Sequence, residues 1–261
     1  MRSVTAILFL AWLIHNYAFS QGEINEEEKI FYRNEKTYGF TLNSDGLSAG
    51  FRYAKRIDAF RKTLYEAEFA QIKHQKEIKI SFSSTQQIGG SFVYGKLNSL
   101  TTLRTGLGFQ KELFRKEDKG GISIRYFYTF GLSTGFQKPV YYEVDTDSDP
   151  LSPAERIKFE THLGYEIERK APFYVGLNEL KVVPGIYGKF GFTFEFSKSD
   201  VIFNAIETGI IMDAFMRKIP IMANELNHRF YPAFFVSYRF GKVIDSQFKA
   251  KPGKIDKVLA E

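Results

Sequence analysis

Hydrophobic and polar residues alternate along much of the chain, which is the pattern of β-strands that have one apolar face. The alternation is clearest in residues 122–137, 186–196 and 230–241. Between Ile122 and Gln137, even positions carry mainly Ile, Tyr, Phe and Leu, whereas odd positions carry mainly Ser, Arg, Thr and Gly. These segments predict three long strands.

Shorter alternations predict five more strands, although Ile211 interrupts the last of them. They cover residues 38–43, 47–53, 65–69, 103–110 and 206–214. The predicted total is therefore eight strands, which is an even number.

The connections between the predicted strands differ in length at the two ends. Tight turns are expected near residues 56–58, 116–120 and 197–200, and the other end has long connections of about 75–96, 143–182 and 217–228. Only residues 44–46 form a short link at that second end. The sequence thus predicts an all-β fold, an eight-stranded antiparallel up-and-down transmembrane β-barrel with short periplasmic turns and long external loops.

A soluble lipocalin-type barrel is the alternative, and its apolar face would point inward around a ligand. Here the polar face is rich in Gly, Ser and Thr, which suit the narrow interior of a barrel of eight strands. The strand over residues 122–137 would also reach about 35 Å, which exceeds the hydrocarbon thickness of a bilayer. We therefore expect the bulky apolar face to contact lipid in the cell outer membrane.

Charged residues at inward positions are balanced, with five cations and five anions. Side chains in so narrow a lumen must pair to offset their desolvation, so a closed, salt-bridged lumen is favoured over a selective channel. This predicted lumen charge network comprises Arg52, Glu66, Glu68, Arg104, Arg125, Lys189, Glu195, Glu207, Asp213 and Arg239.

Composition excludes several other classes of protein. The 261 residues include 44% hydrophobic and 16% aromatic residues but no cysteine, and the mean hydropathy is −0.25. Disorder, a disulfide scaffold, thiol chemistry and a lipidated cysteine anchor are thereby excluded. The formal net charge of +6 includes Arg2, and no Arg-rich stripe indicates a nucleic-acid partner.

Four regions are expected along the chain. Residues 1–20 resemble a signal peptide, because Arg2 precedes an apolar run that is too short to span a bilayer and Ala18-Phe19-Ser20 fits a cleavage site. We expect an acidic N-terminal segment over residues 21–35, the barrel over 36–242 and a basic tail over 243–261.

Candidate chemistry is sparse. His74, His162 and His228 fall at the external end, and the nearest local pairs are Glu160 with His162 and Asn227 with His228, but they form no catalytic motif. We therefore predict no catalytic residues, no metal site and no cofactor.

Two features belong to the longest external connection. The acidic run 143–149 is expected to be a solvated turn rather than a calcium site, because it lacks the Gly and the late Glu of an EF-hand. Ser152, Pro153 and Glu155 match a helix start, which predicts a short helix to about His162.

Residues 232–240 alternate aromatic side chains up to Phe240 and look like the C-terminal signal that barrel-assembly machinery recognises, although residues 241–261 follow. Residues of about 36–242 also resemble the small outer-membrane barrel proteins of Bacteroidota. The resemblance is carried by Leu64–Phe69, Ile72–His74, Tyr94–Ser99, Leu103–Gly108 and Asp118–Gly121. It implies the fold and the location, and it transfers no functional residue.

We therefore expect a non-enzymatic barrel with a structural or partner-binding role. The expected partners are outer-membrane lipid, the barrel-assembly machinery and an outer-membrane secretion or assembly complex, for which residues 249–257 would be the handle. The alternative is an outer-leaflet lipid-modifying enzyme that uses the external histidines.

Overall fold

The computed structural model describes residues 33–81, 91–116, 120–144, 155–159, 167–198, 201–223 and 227–245. Eight long antiparallel strands close into a barrel in which each strand pairs with its neighbours along the chain and the first pairs with the last. These strands are β1 (Arg33–Asn43), β2 (Gly46–Arg56), β3 (Arg61–Ile72), β6 (Asn98–Phe114), β7 (Ser123–Pro139), β11 (Lys181–Glu195), β12 (Ile202–Phe215) and β13 (Phe230–Asp245).

The predicted all-β, eight-stranded antiparallel up-and-down barrel is confirmed, and all eight predicted strands are present. Most of the strands are longer than their alternating segments. In particular, β1 begins at Arg33 and β13 ends at Asp245, so the barrel extends three residues beyond each of the expected boundaries at 36 and 242.

The two ends of the barrel differ in the connections that they carry. The turn end has residues 57–60, 115–122 and 196–201 between its strands, and it also has the start of β1 and the end of β13. The loop end has the short Ser44–Asp45 link and the long connections 73–97, 140–180 and 216–229. This arrangement matches the predicted asymmetry.

Two small sheets lie within the long connections. Strands β4 (Lys79–Ser81) and β5 (Ser91–Val93) pair with each other, and β8 (Tyr141–Val144) pairs with both β9 (Glu155–Lys158) and β10 (Ile167–Lys170). A 3-10 turn spans Leu177–Glu179. Among the described residues, no helix has the length and hydropathy needed to cross a membrane.

The predicted helix after Pro153 is wrong where the structure describes it, because Glu155–Lys158 forms β9. Its backbone pairs with β8, with Tyr142 opposite Ile157 and Glu143 opposite Arg156. Arg156 also donates a hydrogen bond to the Glu143 carboxylate at 3.1 Å. Sheet pairing and this ion pair are non-local contacts, and they override the local capping pattern. Ser152 and Pro153 lie outside the described residues.

The outward face of the barrel is a continuous apolar belt. Phe234, Leu42 and Phe130 are 74%, 65% and 61% exposed, and many other large apolar side chains on the same face are also exposed. Along β13 the belt runs from Phe230 to Phe240, which at about 3.3 Å per residue and a tilt of about 40° spans about 25 Å of barrel height.

Outward-facing tyrosine and lysine side chains are concentrated toward the turn end of this belt. The outward tyrosines lie in the half of the barrel nearer the turn end, and exposed lysines follow them at outward positions. The tyrosines are Tyr38, Tyr53, Tyr65, Tyr126, Tyr128 and Tyr238, and the lysines are Lys36, Lys55, Lys111 and Lys242. Tyrosine followed by lysine is the order that a membrane–water interface favours.

Glycines on the inward face make room for large side chains. Gly131 on β7 lies opposite both Gly106 on β6 and Tyr187 on β11. A Cβ atom on Gly131 would come within 2.2 Å of the Thr105 carbonyl oxygen, and one on Gly106 would come within 2.5 Å of the Tyr187 hydroxyl. The Tyr187 side chain therefore fits across this glycine pair.

We predict that Gly131→Ala lowers the free energy of unfolding by about 2 kcal/mol, because the added methyl group must displace backbone in a closely packed wall. Gly188→Ala is the matched control, since a Cβ atom there meets nothing within 4 Å. It should leave stability unchanged or raise it by about 0.5 kcal/mol. Denaturant titration of the folded barrel in micelles measures both, and equal effects would contradict the close approach at Gly131.

Candidate functional site

The lumen contains a chain of ion pairs in which positive and negative side chains alternate. Eight of the ten residues of the predicted lumen charge network belong to this central chain, and each of them is buried. In order of contact they are Arg239, Glu207, Arg52, Glu66, Lys189, Glu68, Arg104 and Asp213.

The first half of the central chain joins β13, β12, β2 and β3. Arg239 Nε donates to one Glu207 oxygen at 3.0 Å, and Arg52 Nη1 donates to the other at 2.6 Å. Arg52 Nε then donates to Glu66 Oε2 at 2.7 Å. The Glu207 carboxylate thus bridges two guanidinium groups, and the Thr193 hydroxyl donates a third hydrogen bond to it at 3.0 Å.

The second half of the central chain crosses the lumen between β3, β11, β6 and β12. Lys189 Nζ donates to Glu66 Oε1 at 3.0 Å and to Glu68 Oε2 at 2.7 Å. Arg104 donates to Glu68 Oε1 and to Asp213 Oδ2, both at 2.6 Å. Each interior charge of the chain therefore contacts two opposite charges, which offsets much of the cost of its desolvation.

The other two predicted residues, Arg125 and Glu195, form a second chain nearer the turn end. Arg125 donates to Glu195 and, at 3.2 Å, to Glu35, which also accepts a hydrogen bond from Lys62. Lys116 Nζ donates to Glu195 at 3.0 Å. Sequence analysis missed Glu35, Lys62 and Lys116 because they lie outside the alternating segments, although Glu35 and Lys62 fit the inward period of β1 and β3 when the strands are extended.

The lumen also contains more apolar bulk than its sequence pattern predicts. Phe127, Tyr187, Ile211 and Phe235 are inward and buried, and they form one cluster with smaller apolar residues. The guanidinium carbon of Arg52 lies 4.5 Å from the centre of the Phe127 ring. Ile211, which interrupts the alternation in the sequence, is one of these inward residues. These side chains fill space between the ion pairs.

A segment of the β12–β13 connection covers the lumen at the loop end. Ile219 and Ile221 are completely buried in an apolar cluster with residues from the strand ends. The Ile221 carbonyl accepts hydrogen bonds from the Leu97 and Asn98 amides at 2.9 and 3.2 Å, and the Asn98 side chain donates to the Pro220 carbonyl at 2.6 Å. The apolar run Ile219-Pro220-Ile221-Met222, which follows Arg217 and Lys218 in the external loop, was the sequence signal for this loop-end cap, residues 219–222.

The structure brings two of the three candidate histidines together. His74 and His228 line one cleft of about 370 Å³ at the loop end, with Asp45 between the two segments that carry them. His162 and Glu160 lie outside the described residues. Asn227 has a structural role, since its side-chain oxygen accepts a hydrogen bond from the Ile221 amide at 2.9 Å.

Burial raises the pKa of the Asp45 carboxyl to about 6. The field of Arg104 lowers this pKa and that of Asp213 raises it, so the two lumen charges act in opposite directions. Desolvation disfavours the charged form of an acid, which explains the net upward shift. Asp45 is thus partly protonated near neutral pH.

The acidic run 143–149 lies outside the described residues from Asp145 onward. The described part, Glu143 and Val144, belongs to β8, and Glu143 accepts hydrogen bonds from Arg156 and Arg169. Within the part of the chain that the structure describes, no group of three or more His, Asp or Glu side chains could hold a metal ion.

No protein-family model and no curated protein matches the sequence. Three solved structures that align with the chain are small outer-membrane β-barrel proteins of eight strands. Ail, the attachment invasion locus protein of Yersinia pestis in complex with the heparin analogue sucrose octasulfate, is 7% identical, with a TM-score of 0.36 over 81% of this chain and 97% of Ail.

Neisserial surface protein A is 6% identical, with a TM-score of 0.34 over 82% of this chain and 96% of its own. The N-terminal β-barrel domain of Pseudomonas aeruginosa OprF is 7% identical, with a TM-score of 0.33 over 82% and 98%.

We predict that Asp213→Ala lowers the free energy of unfolding by about 3–5 kcal/mol, because it leaves the Arg104 guanidinium buried with one partner fewer. Glu179→Ala, which removes an exposed 2.5 Å pair with Lys158 and a hydrogen bond from the Tyr141 hydroxyl, is the control and should leave the free energy of unfolding nearly unchanged. Unfolding in denaturant measures both variants. Similar losses for the two would mean that the central chain is as solvated as the surface pair.

Proposed function

We propose that the protein is a non-enzymatic barrel of the bacterial outer membrane whose closed lumen gives it a structural or partner-binding role rather than a transport role. The observation that carries the proposal is the combination of an apolar outer belt of about 25 Å with an inner face that is filled by paired charges and bulky side chains.

The outer belt supports placement in a membrane. Soluble proteins rarely expose large contiguous apolar surfaces, because each such side chain gains free energy when it leaves water. Here the outward face of the barrel is predominantly apolar over a height of about 25 Å, which matches the apolar band of outer-membrane barrels. The same face excludes the lipocalin-type alternative, whose apolar side chains would have to point inward.

The lumen supports a role without conduction. Arg104, Arg239 and Glu207 are among the least exposed side chains in the molecule, at 0%, 2% and 0%. An ion that entered would have to separate pairs whose atoms lie 2.6–3.2 Å apart. The loop-end cap is a second barrier on the same path.

The ends of the barrel suggest its orientation and its partners. Short turns share one end with the start of β1 and the end of β13, and we assign this end to the periplasm, so that the long connections face outward. The basic tail at residues 249–257 would lie on the periplasmic side as the contact with an outer-membrane secretion or assembly complex. Membrane lipid and the barrel-assembly machinery are the other proposed partners. The signal peptide and the Bacteroidota resemblance remain predictions.

Reconstitution tests this proposal directly. The purified protein should float with liposomes and remain folded, and in planar bilayers it should give no stable conductance steps under conditions in which a general porin, used as the positive control, gives large ones. The physical reason is that the ion pairs and the loop-end cap leave no continuous water path. Native membranes should in addition yield co-purifying proteins whose recovery depends on residues 249–257.

Two results would contradict separate parts of the proposal. Stepwise conductance from the native protein would exclude the closed lumen, and failure to float with liposomes would exclude placement of the belt in lipid. Recovery of the same co-purifying proteins after removal of residues 249–257 would exclude the tail as the contact.

The second candidate function, an outer-leaflet lipid-modifying enzyme, is favoured by one observation. His74 and His228 share a cleft with Asp45, and a histidine beside a carboxylate is the usual arrangement of a general base. The cleft lies at the loop end, where outer-leaflet head groups would be found.

If the enzyme alternative holds, lipid A from cells that express the protein should differ in acyl composition from that of a deletion strain, and His74→Ala and His228→Ala should abolish the difference. Our proposal expects identical lipid A in all four strains. Mass spectrometry of extracted lipid A measures this. A histidine-dependent difference would establish the enzyme in place of the structural role.

A further inference from the structure

The cleft that holds the two histidines is built from three segments at the loop end. Asp45 comes from the β1–β2 link, residues 73–76 follow β3, and the third segment is His228 with the first three residues of β13, Phe230–Pro232. The Lys73 amide donates to the Asp45 carbonyl at 2.7 Å, and the Tyr231 hydroxyl donates to the His228 carbonyl at 3.2 Å. These contacts hold the walls in place without a ligand.

The charged groups of the cleft favour an anion. Lys73 and Lys76 line it, as do His74 and His228, and Asp45 is the one acidic residue among its lining residues. The Lys76 amide donates to His74 Nδ1 at 3.2 Å, which places the proton of a neutral His74 ring on Nε2.

The neighbouring carboxylates cancel only part of this positive charge. The Glu77 carboxylate is occupied by Lys96 Nζ at 2.6 Å and by the His74 amide at 3.1 Å. Asp213 is held by Arg104 in the lumen. The remaining acid, Asp45, has a pKa raised to about 6, and in its protonated form it donates a hydrogen bond instead of repelling an anion.

The size of the cleft and the apolar residues at its border indicate a ligand that is larger than a free ion. Its volume of about 370 Å³ lies within the range of small-molecule sites, about 300–1,000 Å³. Phe230 and Pro232 line one side and are exposed, and they continue into the apolar belt at Phe234. A ligand here would contact the basic groups on one side and the membrane surface on the other.

We propose that this cleft binds a phosphate monoester, which a phosphorylated lipid head group of the surrounding leaflet would supply. Lys73 and Lys76 neutralise the phosphate, His74 and His228 donate hydrogen bonds to it, and Phe230 with Pro232 contacts the start of the acyl region. The lipid source, but not the phosphate chemistry, rests on the proposed placement in the membrane.

The test titrates the folded full-length protein, in zwitterionic micelles, with short-chain phosphatidic acid, short-chain phosphatidylcholine and inorganic phosphate by calorimetry. Phosphatidic acid should bind, and the double variant Lys73→Gln/Lys76→Gln should weaken it by about tenfold for each lysine lost. Lys198→Gln/Lys242→Gln makes the same charge change at exposed positions of the turn end and should leave affinity unchanged.

Asp45→Asn provides an independent variant that keeps both lysines. The ratio of its affinity to that of the native protein should be near one at pH 5 and should rise to about tenfold at pH 8, because only the native residue becomes an anion across that interval. The ratio cancels the titration of the phosphate itself, which is common to both proteins.

Binding of phosphatidic acid with much weaker binding of inorganic phosphate supports the lipid source, and equal binding of the two supports a free phosphate. Equal binding of phosphatidylcholine, or phosphatidic acid binding that is unchanged in the Lys73/Lys76 variant, would overturn the proposal. Because the barrel is folded and in micelles in every titration, a negative result here leaves the liposome and conductance tests of the proposed function unaffected.

Discussion

The narrow lumen of an eight-stranded barrel is the constraint on which the rest of the structure depends. Any charge placed inside loses its water, so it must meet an opposite charge at hydrogen-bonding distance. The central chain from Arg239 to Asp213 meets this requirement by alternation, since its three glutamates each bridge two cations and Asp213 ends the chain on Arg104. The pairs connect strands that are not neighbours, such as β3 with β11, and thereby tie opposite walls of the barrel together.

The inward and outward faces of the barrel wall are linked, because successive residues of a β-strand point to opposite sides. A residue that turns inward forces its neighbours outward, so the charged lumen and the apolar belt are one pattern viewed from two sides. The connections at the loop end add two features that the strands do not form, a cover over the lumen and a cleft. They cover the lumen with Ile219 and Ile221, and they form the basic cleft around His74 and His228 where the belt ends. The loop end therefore closes the lumen with one group of residues and forms the proposed ligand cleft with another.

Alternation predicted the eight strands and the inward positions of the ten charged residues because it depends on local geometry alone, whereas the up-and-down order was predicted from the lengths of the connections. It missed Glu35 and Lys62, which lie where the outward residues are themselves polar or charged, so neither face there is apolar. The capping pattern, which is a different local signal, misjudged Glu155–Lys158, where pairing with β8 and the Glu143 ion pairs override it. The bulky inward residues Phe127 and Phe235 were hidden because aromatic residues occupy both faces of β7 and β13.

The sequence by itself determined which side chains lie on which face of each strand, because a period of two leaves no other choice once the strands form. Only the tertiary structure decided which cation meets which anion, since that depends on register and on closure between β1 and β13. The same holds for Asp45, His74 and His228, which come from three separate connections. No pattern in the sequence indicates that residues so far apart in the chain lie close together in space. Their proximity follows from the stagger of the strands in a closed barrel.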